Sequence, residues 1–108
     1  MTADDDQLVR AVDRLVDQVG HWSPVRWAAT AGGAGRSRAE VVHALVQRLA
    51  DLGADAEGEP HRPVPRLPHD LALPDQLRVL TRDLVAAKPT QAIIAAALET
   101  VTAARRDL

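Results

Sequence analysis

The 108-residue chain contains no cysteine, phenylalanine or tyrosine, and its only aromatic side chains are Trp22 and Trp27. Without thiols there can be no disulfide, thiolate metal centre or cysteine nucleophile, and a reducing compartment is the natural setting. With two isoleucines, Ile93 and Ile94, the apolar 46% of the chain must be assembled mainly from Leu, Val and Ala. Ala and Leu favour helix, whereas sheets draw heavily on Tyr, Phe, Thr and Ile. Asparagine is also missing, and Lys88 is the single lysine, so nearly all cations are arginine.

The net charge is −2, with acids and bases mixed along the chain. No global field therefore points to nucleic acid or an anionic membrane. No run approaches the roughly 20 apolar residues that a membrane span requires. The opening Met1-Thr2-Ala3-Asp4-Asp5-Asp6 is acidic and unlike a signal peptide. The expectation is a cytoplasmic protein with no membrane insertion and no nucleic-acid partner.

What the chain does have is a repeated apolar stripe at spacings of three and four, the signature of a helix with one buried face. Leu8, Val12, Leu15 and Val19 carry it in a first helix from about Asp4 to Val19, with Asp4, Asp5 and Asp6 at the positive end of its dipole. Gly20 ends that helix. Val42, Leu45, Leu49 and Leu52 carry the stripe in a second, after a capping box of Ser37 and Glu40 and before Gly53 or Gly58. Leu73, Leu77, Leu80 and Leu84 mark a third, beginning near Pro74 and stopped by Pro89. Ile94, Leu98 and Val101 mark a fourth, capped by Thr90 or entered through Pro89, and closed by Arg105 and Arg106. The fourth is so rich in alanine that it is either central or a contact between copies.

Two segments punctuate these helices. In His21-Trp22-Ser23-Pro24-Val25-Arg26-Trp27, Ser23 can cap a short helix near Ser23–Thr30 with Pro24 at its first position. Trp22 and Trp27 then hold the two positions of a hydrophobic staple. From 58 to 68 the chain carries Pro60, Pro63, Pro65 and Pro68 and should run extended as a connector. Four one-sided helices must bury their stripes together. The expected fold is all-α, one domain over 1–108, either a four-helix bundle or two helical hairpins.

Catalytic chemistry finds little purchase. Ser23 and Ser37, the only serines, are both explained as caps, and neither sits in a Gly-x-Ser-x-Gly elbow. Paired carboxylates are read as solvent-facing aspartates near helix ends. A helical metal site needs His and Glu pairs on one face. Glu40 and His43 form the only such pair, and His61 and His69 have no partner pattern. The loop Thr30-Ala31-Gly32-Gly33-Ala34-Gly35-Arg36 looks flexible and departs from the phosphate-loop pattern, with Thr30 for its first glycine and Arg36 for its lysine. Arg62-Pro63-Val64-Pro65-Arg66-Leu67-Pro68 has the Arg-x-x-Pro-x-x-Pro spacing of polyproline ligands. Its plainer role is a stiff connector.

One stretch stands apart. Between Asp17 and Glu40 there is no acidic side chain, while Arg26, Arg36 and Arg38 are present with His21. The candidate ligand-binding set is therefore Trp22, Arg26, Trp27, Arg36 and Arg38. No catalytic residue, metal ligand or cofactor is assigned.

The phrases His21-Trp22-Ser23-Pro24-Val25-Arg26-Trp27 and Leu71-Ala72-Leu73-Pro74-Asp75-Gln76-Leu77-Arg78 resemble those of small uncharacterised helical proteins of high-GC actinobacteria. The resemblance spans most of the chain and implies no activity, so no role passes to any residue. The functional expectation is a non-enzymatic helical interaction or scaffold protein acting by self-association or on a protein partner. The alternative is a regulatory domain that senses a small molecule or anion through segment 21–38.

Overall fold

The computed structural model describes residues 2–32 and 35–108, and five helices run through it. The first, α1 (Ala3–Val19), starts with a capping box. Thr2 Oγ1 accepts from Asp5 N at 3.0 Å, and Asp5 Oδ2 accepts from Thr2 N at 3.1 Å. Asp5 is buried by this arrangement, which corrects the expectation that the clustered aspartates all face solvent. Gly20 ends α1 with ordinary right-handed backbone, φ −64°. Glycine is needed there for closeness, because a Cβ would sit 2.8 Å from Val16 O.

The short helix α2 (Pro24–Ala28) is followed by α3 (Arg38–Glu57), α4 (Leu73–Ala86) and α5 (Gln91–Asp107), with a 3-10 turn at Asp70–Ala72 leading into α4. Ser37 and Glu40 form the expected box at α3, with both reciprocal bonds at 3.0–3.1 Å. The helix runs through Gly53 and stops at Gly58, whose φ of +70° favours a residue without a Cβ. Lys88 takes the left-handed conformation, φ +53°, after α4. Thr90, one of the two expected starts, caps α5.

All four stripes turn inward. Leu8, Val12, Leu15, Val42, Leu45, Leu49, Leu77, Leu84, Ile94 and Val101 are buried in one continuous cluster, and Leu80 and Leu98 lean on it half-buried. Trp22 and Trp27 belong to the same cluster. Each fully buried large side chain contributes about 1.5–3 kcal/mol of transfer free energy, which only joint burial can supply.

The packing order is not the chain order. Both α4 and α5 lie between α1 and α3, each touching both, and the most extensive contact is α3 on α4. Two separate hairpins would instead pair α1 with α3 and α4 with α5. The short helix α2 packs on α3 and on the 3-10 turn. The Cα radius of gyration, 13.3 Å, matches the roughly 13 Å expected of a single domain this long. On α5, Ala97 and Ala104 are buried while Ala92, Ala95 and Ala103 are exposed, so that helix packs on α1 and α3 with one face and shows the other to solvent. Among the described residues no helix is long and apolar enough to cross a membrane.

The proline segment is pinned as well as extended. The Gln47 amide on α3 accepts from Val64 N at 2.7 Å and donates to Arg62 O at 3.0 Å. His43, one turn earlier, bonds to Val64 O at 3.1 Å. A side-chain amide thus pairs with an extended backbone as a neighbouring strand would. Between this strap, α3 and α4 lies an open groove of about 580 Å³.

Candidate functional site

The candidate site is assembled by α2. Ser23 Oγ accepts from Arg26 N at 3.2 Å, and Pro24 occupies the first position, where its missing N–H costs nothing. That cap turns Trp22 back onto Trp27. The rings meet edge to face, centroids 5.1 Å apart and planes at 68°, an arrangement favoured by the aromatic quadrupole. Two guanidinium groups lie over Trp22, Arg26 at 5.1 Å and Arg38 at 5.7 Å from the ring centroid.

Arg38 reaches this place because it opens α3. Its N–H donates to Ala29 O at 2.9 Å, closing the loop that leaves α2. Thr30 and Ser37 form an isolated antiparallel bridge, Ala31 N donates to Arg36 O, and Gly32 N donates to Asp107 O, the latter two at 2.8 Å. The expected flexible loop is therefore tied down at its base and to the end of α5. Its N–H groups at Ala31 and Gly32 are committed to carbonyls, not free for an anion. Gly33 and Ala34 lie outside the described residues.

Trp22, Arg26, Trp27 and Arg38 are thus brought together. Arg36 is not one of them. It lines a different pocket with α3 and α5, among them Val41, Leu45, Thr100 and Asp107. The intervening Ser37 bridge separates the two arginines although they are two residues apart.

The α2 cluster is rich in donors and poor in acceptors. Trp27 is fully buried and its Nε1–H has no hydrogen-bond partner among the described residues, nor has the buried Nε of Arg38. Leaving such a donor unpaired costs about 1–3 kcal/mol. The buried acceptor Gln76 Oε1 on α4 is also unpartnered, but it reaches neither of them. Trp27 lines a cavity of about 140 Å³ with Pro24, Pro68, His69, Asp70 and Leu71. Of its lining residues Leu71 is 56% exposed; Val25, 80% exposed, and Leu67, 42% exposed, adjoin the lining residues Pro24 and Pro68 in the chain. Asp70 is engaged by Arg66 at 3.0 Å.

No known protein family matches the chain, and no curated protein or solved structure does either.

Elsewhere the polar residues serve the fold. The Glu40–His43 pair does not form: Glu40 bonds to Ser37 and His43 to Val64. The Ser37 N–H holds the Glu40 carboxyl below its ordinary value. His61, for which no partner was foreseen, has Nε2 2.7 Å from Asp55 Oδ1 and Nδ1 3.8 Å from Asp51 Oδ1. The bond to Asp55 raises its pKa above the usual imidazole value. Among the described residues no group of three or more His, Asp or Glu side chains is gathered to hold a metal ion.

Gln47 was also missed. It repeats with Asp51 and Asp55 at four-residue intervals on the polar flank of α3, facing a segment of four prolines. That periodicity was the available signal.

Proposed function

We propose that this chain is a non-enzymatic helical interaction protein of the cytoplasm, docking another polypeptide through the face around α2. The supporting observation is the cavity beside Trp27, lined in part by the exposed Leu71. Leu71 lines it, and Val25 and Leu67, each next in the chain to a lining proline, are likewise large and exposed. Solvated apolar side chains gathered beside a concavity are characteristic of docking surfaces. The rigid α2 scaffold, fixed by a cap, a staple and two stacked arginines, means that little ordering entropy is lost on binding.

The test is site-specific photo-crosslinking in the native host. A crosslinker at Val25 or Leu71 should yield a discrete protein adduct, while one at the exposed Thr102 on α5 should not. Equal labelling from all three positions, or none from any, contradicts the proposal.

A small-molecule or anion sensor built on the same cluster is favoured only by the two unpaired donors. It is the weaker reading, because the arginines already cover Trp22 and Arg36 stands in another pocket. Tryptophan fluorescence titrated with phosphates, nucleotides and acyl carboxylates should stay flat; a saturable change would favour the sensor.

A further inference from the structure

We propose that the proline strap, residues 59–68, is a preformed polyproline helix that docks into a groove lined by aromatic side chains on a partner protein. This goes beyond the role given to α2 and uses a different part of the surface.

The backbone leaves the strap little choice. Proline fixes its own φ near −65° and drives the residue before it toward extended backbone. Within 59–68 only His61 and Arg66 are neither a proline nor the residue before one. From Glu59 to Leu67 the chain accordingly contains no helix, strand or turn. A polyproline helix repeats every three residues, so its side chains form three ridges. His61, Val64 and Leu67 share one ridge, Arg62, Pro65 and Pro68 a second, and Pro60, Pro63 and Arg66 the third.

The contacts follow that threefold period. His61 Nε2 lies 2.7 Å from Asp55 Oδ1 on α3. Three residues on, Val64 N donates to Gln47 Oε1 and Val64 O accepts from His43 Nε2, both partners on α3. From Gly58 to His69 only Val64 is half-buried, and every other residue is exposed. The ridge of His61 and Val64 therefore lies on α3. Pro60, Pro63, Pro65 and Pro68 stand exposed on the other two.

This form selects the partner. Four prolines withhold four N–H donors, so no strand can add to the strap along its length. Stiff proline ridges are instead read by grooves lined with aromatic rings, and a helix already fixed by the fold loses little entropy on docking. Pro60, Pro63 and Pro65 also line the open groove of about 580 Å³, which leaves room for a ring beside them. Charge does not direct the contact, because Arg62 shares that groove with Glu57, Glu59 and Asp83. The recognition is ring against proline, not an acid reaching for Arg62. At its far end Pro68 borders the Trp27 cavity, where the two surfaces meet.

Isothermal titration of the intact chain against a panel of purified SH3 and WW domains, which carry such grooves, tests this. At least one domain should bind with a dissociation constant below about 1 mM. Pro63→Ala and Pro65→Ala, both at exposed positions, should each weaken that binding about tenfold with helicity unchanged. Leu71→Asp, beside the Trp27 cavity, should leave it intact. No binding by any domain at about 1 mM overturns the inference. So does a bound domain indifferent to both proline substitutions, or one that Leu71→Asp releases.

Discussion

The Trp27 ring meets the edge of Trp22 at 5.1 Å, and its own N–H ends among side chains that offer it no acceptor. Packing and polar satisfaction therefore oppose each other in one residue. Trp27→Ala should lose about 3–5 kcal/mol of stability. Trp27→Phe keeps an aromatic body and removes the unpaired donor, returning about 1–3 kcal/mol of its desolvation cost. Chemical denaturation should accordingly place the phenylalanine variant much nearer the native protein than the alanine variant. Equal losses would mean that the N–H is paired in solution.

Gln47 joins α3 to a segment 15 to 17 residues away through both ends of one amide. Gln47→Leu keeps much of the volume and deletes both bonds to the strap, along with one to Asp51 Oδ1, each worth about 0.5–1.5 kcal/mol. Amide exchange at Val64 should become fast while exchange at Leu45 and Leu49, in the core, stays slow. Unchanged protection at Val64 would show that the strap is held by something other than Gln47.

His61 is bonded to Asp55, and its charged form is favoured in the folded state. Its contribution is complete below the unfolded pKa, about 6.5, and disappears as pH rises through the higher folded value. The ring is exposed, so water and salt screen the pair and the effect is small. NMR titration should show His61 with a raised pKa in the native protein and an ordinary one in Asp55→Asn. The same raised value in both would remove the carboxylate as its cause.

Ser37 accepts from Glu40 N, and Glu40 in turn accepts from Ser37 N. Losing a serine cap of this kind costs about 0.5–2 kcal/mol. Because Arg38 opens the same helix, Ser37→Ala should also loosen the guanidinium over Trp22. The expected readouts are a lower melting temperature and a shifted Trp22 indole resonance. A change in stability without any change at Trp22 would separate the cap from the cluster.

What the sequence made legible is what depends on near neighbours. The stripes through Leu8, Leu45, Leu77 and Ile94 declare a buried face because each helix meets the core on one side only. The Ser37–Glu40 box, the Thr90 cap and the Trp22–Trp27 staple are likewise local. The Thr2–Asp5 box was equally local, but three consecutive aspartates read first as dipole charge. Contacts between distant segments left no such trace. Nothing near Gln47 announces Val64, and nothing near Asp55 announces His61. The packing of α4 and α5 between α1 and α3 depends on crossing geometry that hydrophobic period does not encode. The candidate set of five was four-fifths coherent: a single turn through Ser37 sends Arg36 away from Arg38.

Docking of another chain at the Trp27 cavity would be felt first by the indole that lines it. The chain has two indole N–H groups, so a nitrogen–proton correlation spectrum contains two indole peaks, separable with Trp22→Phe. In the associated state the Trp27 indole peak should move strongly, and backbone peaks of Val25 and Leu71 should move with it. If association leaves all three in place and instead shifts residues at the exposed end of α5, the docking surface has been assigned to the wrong side of the molecule.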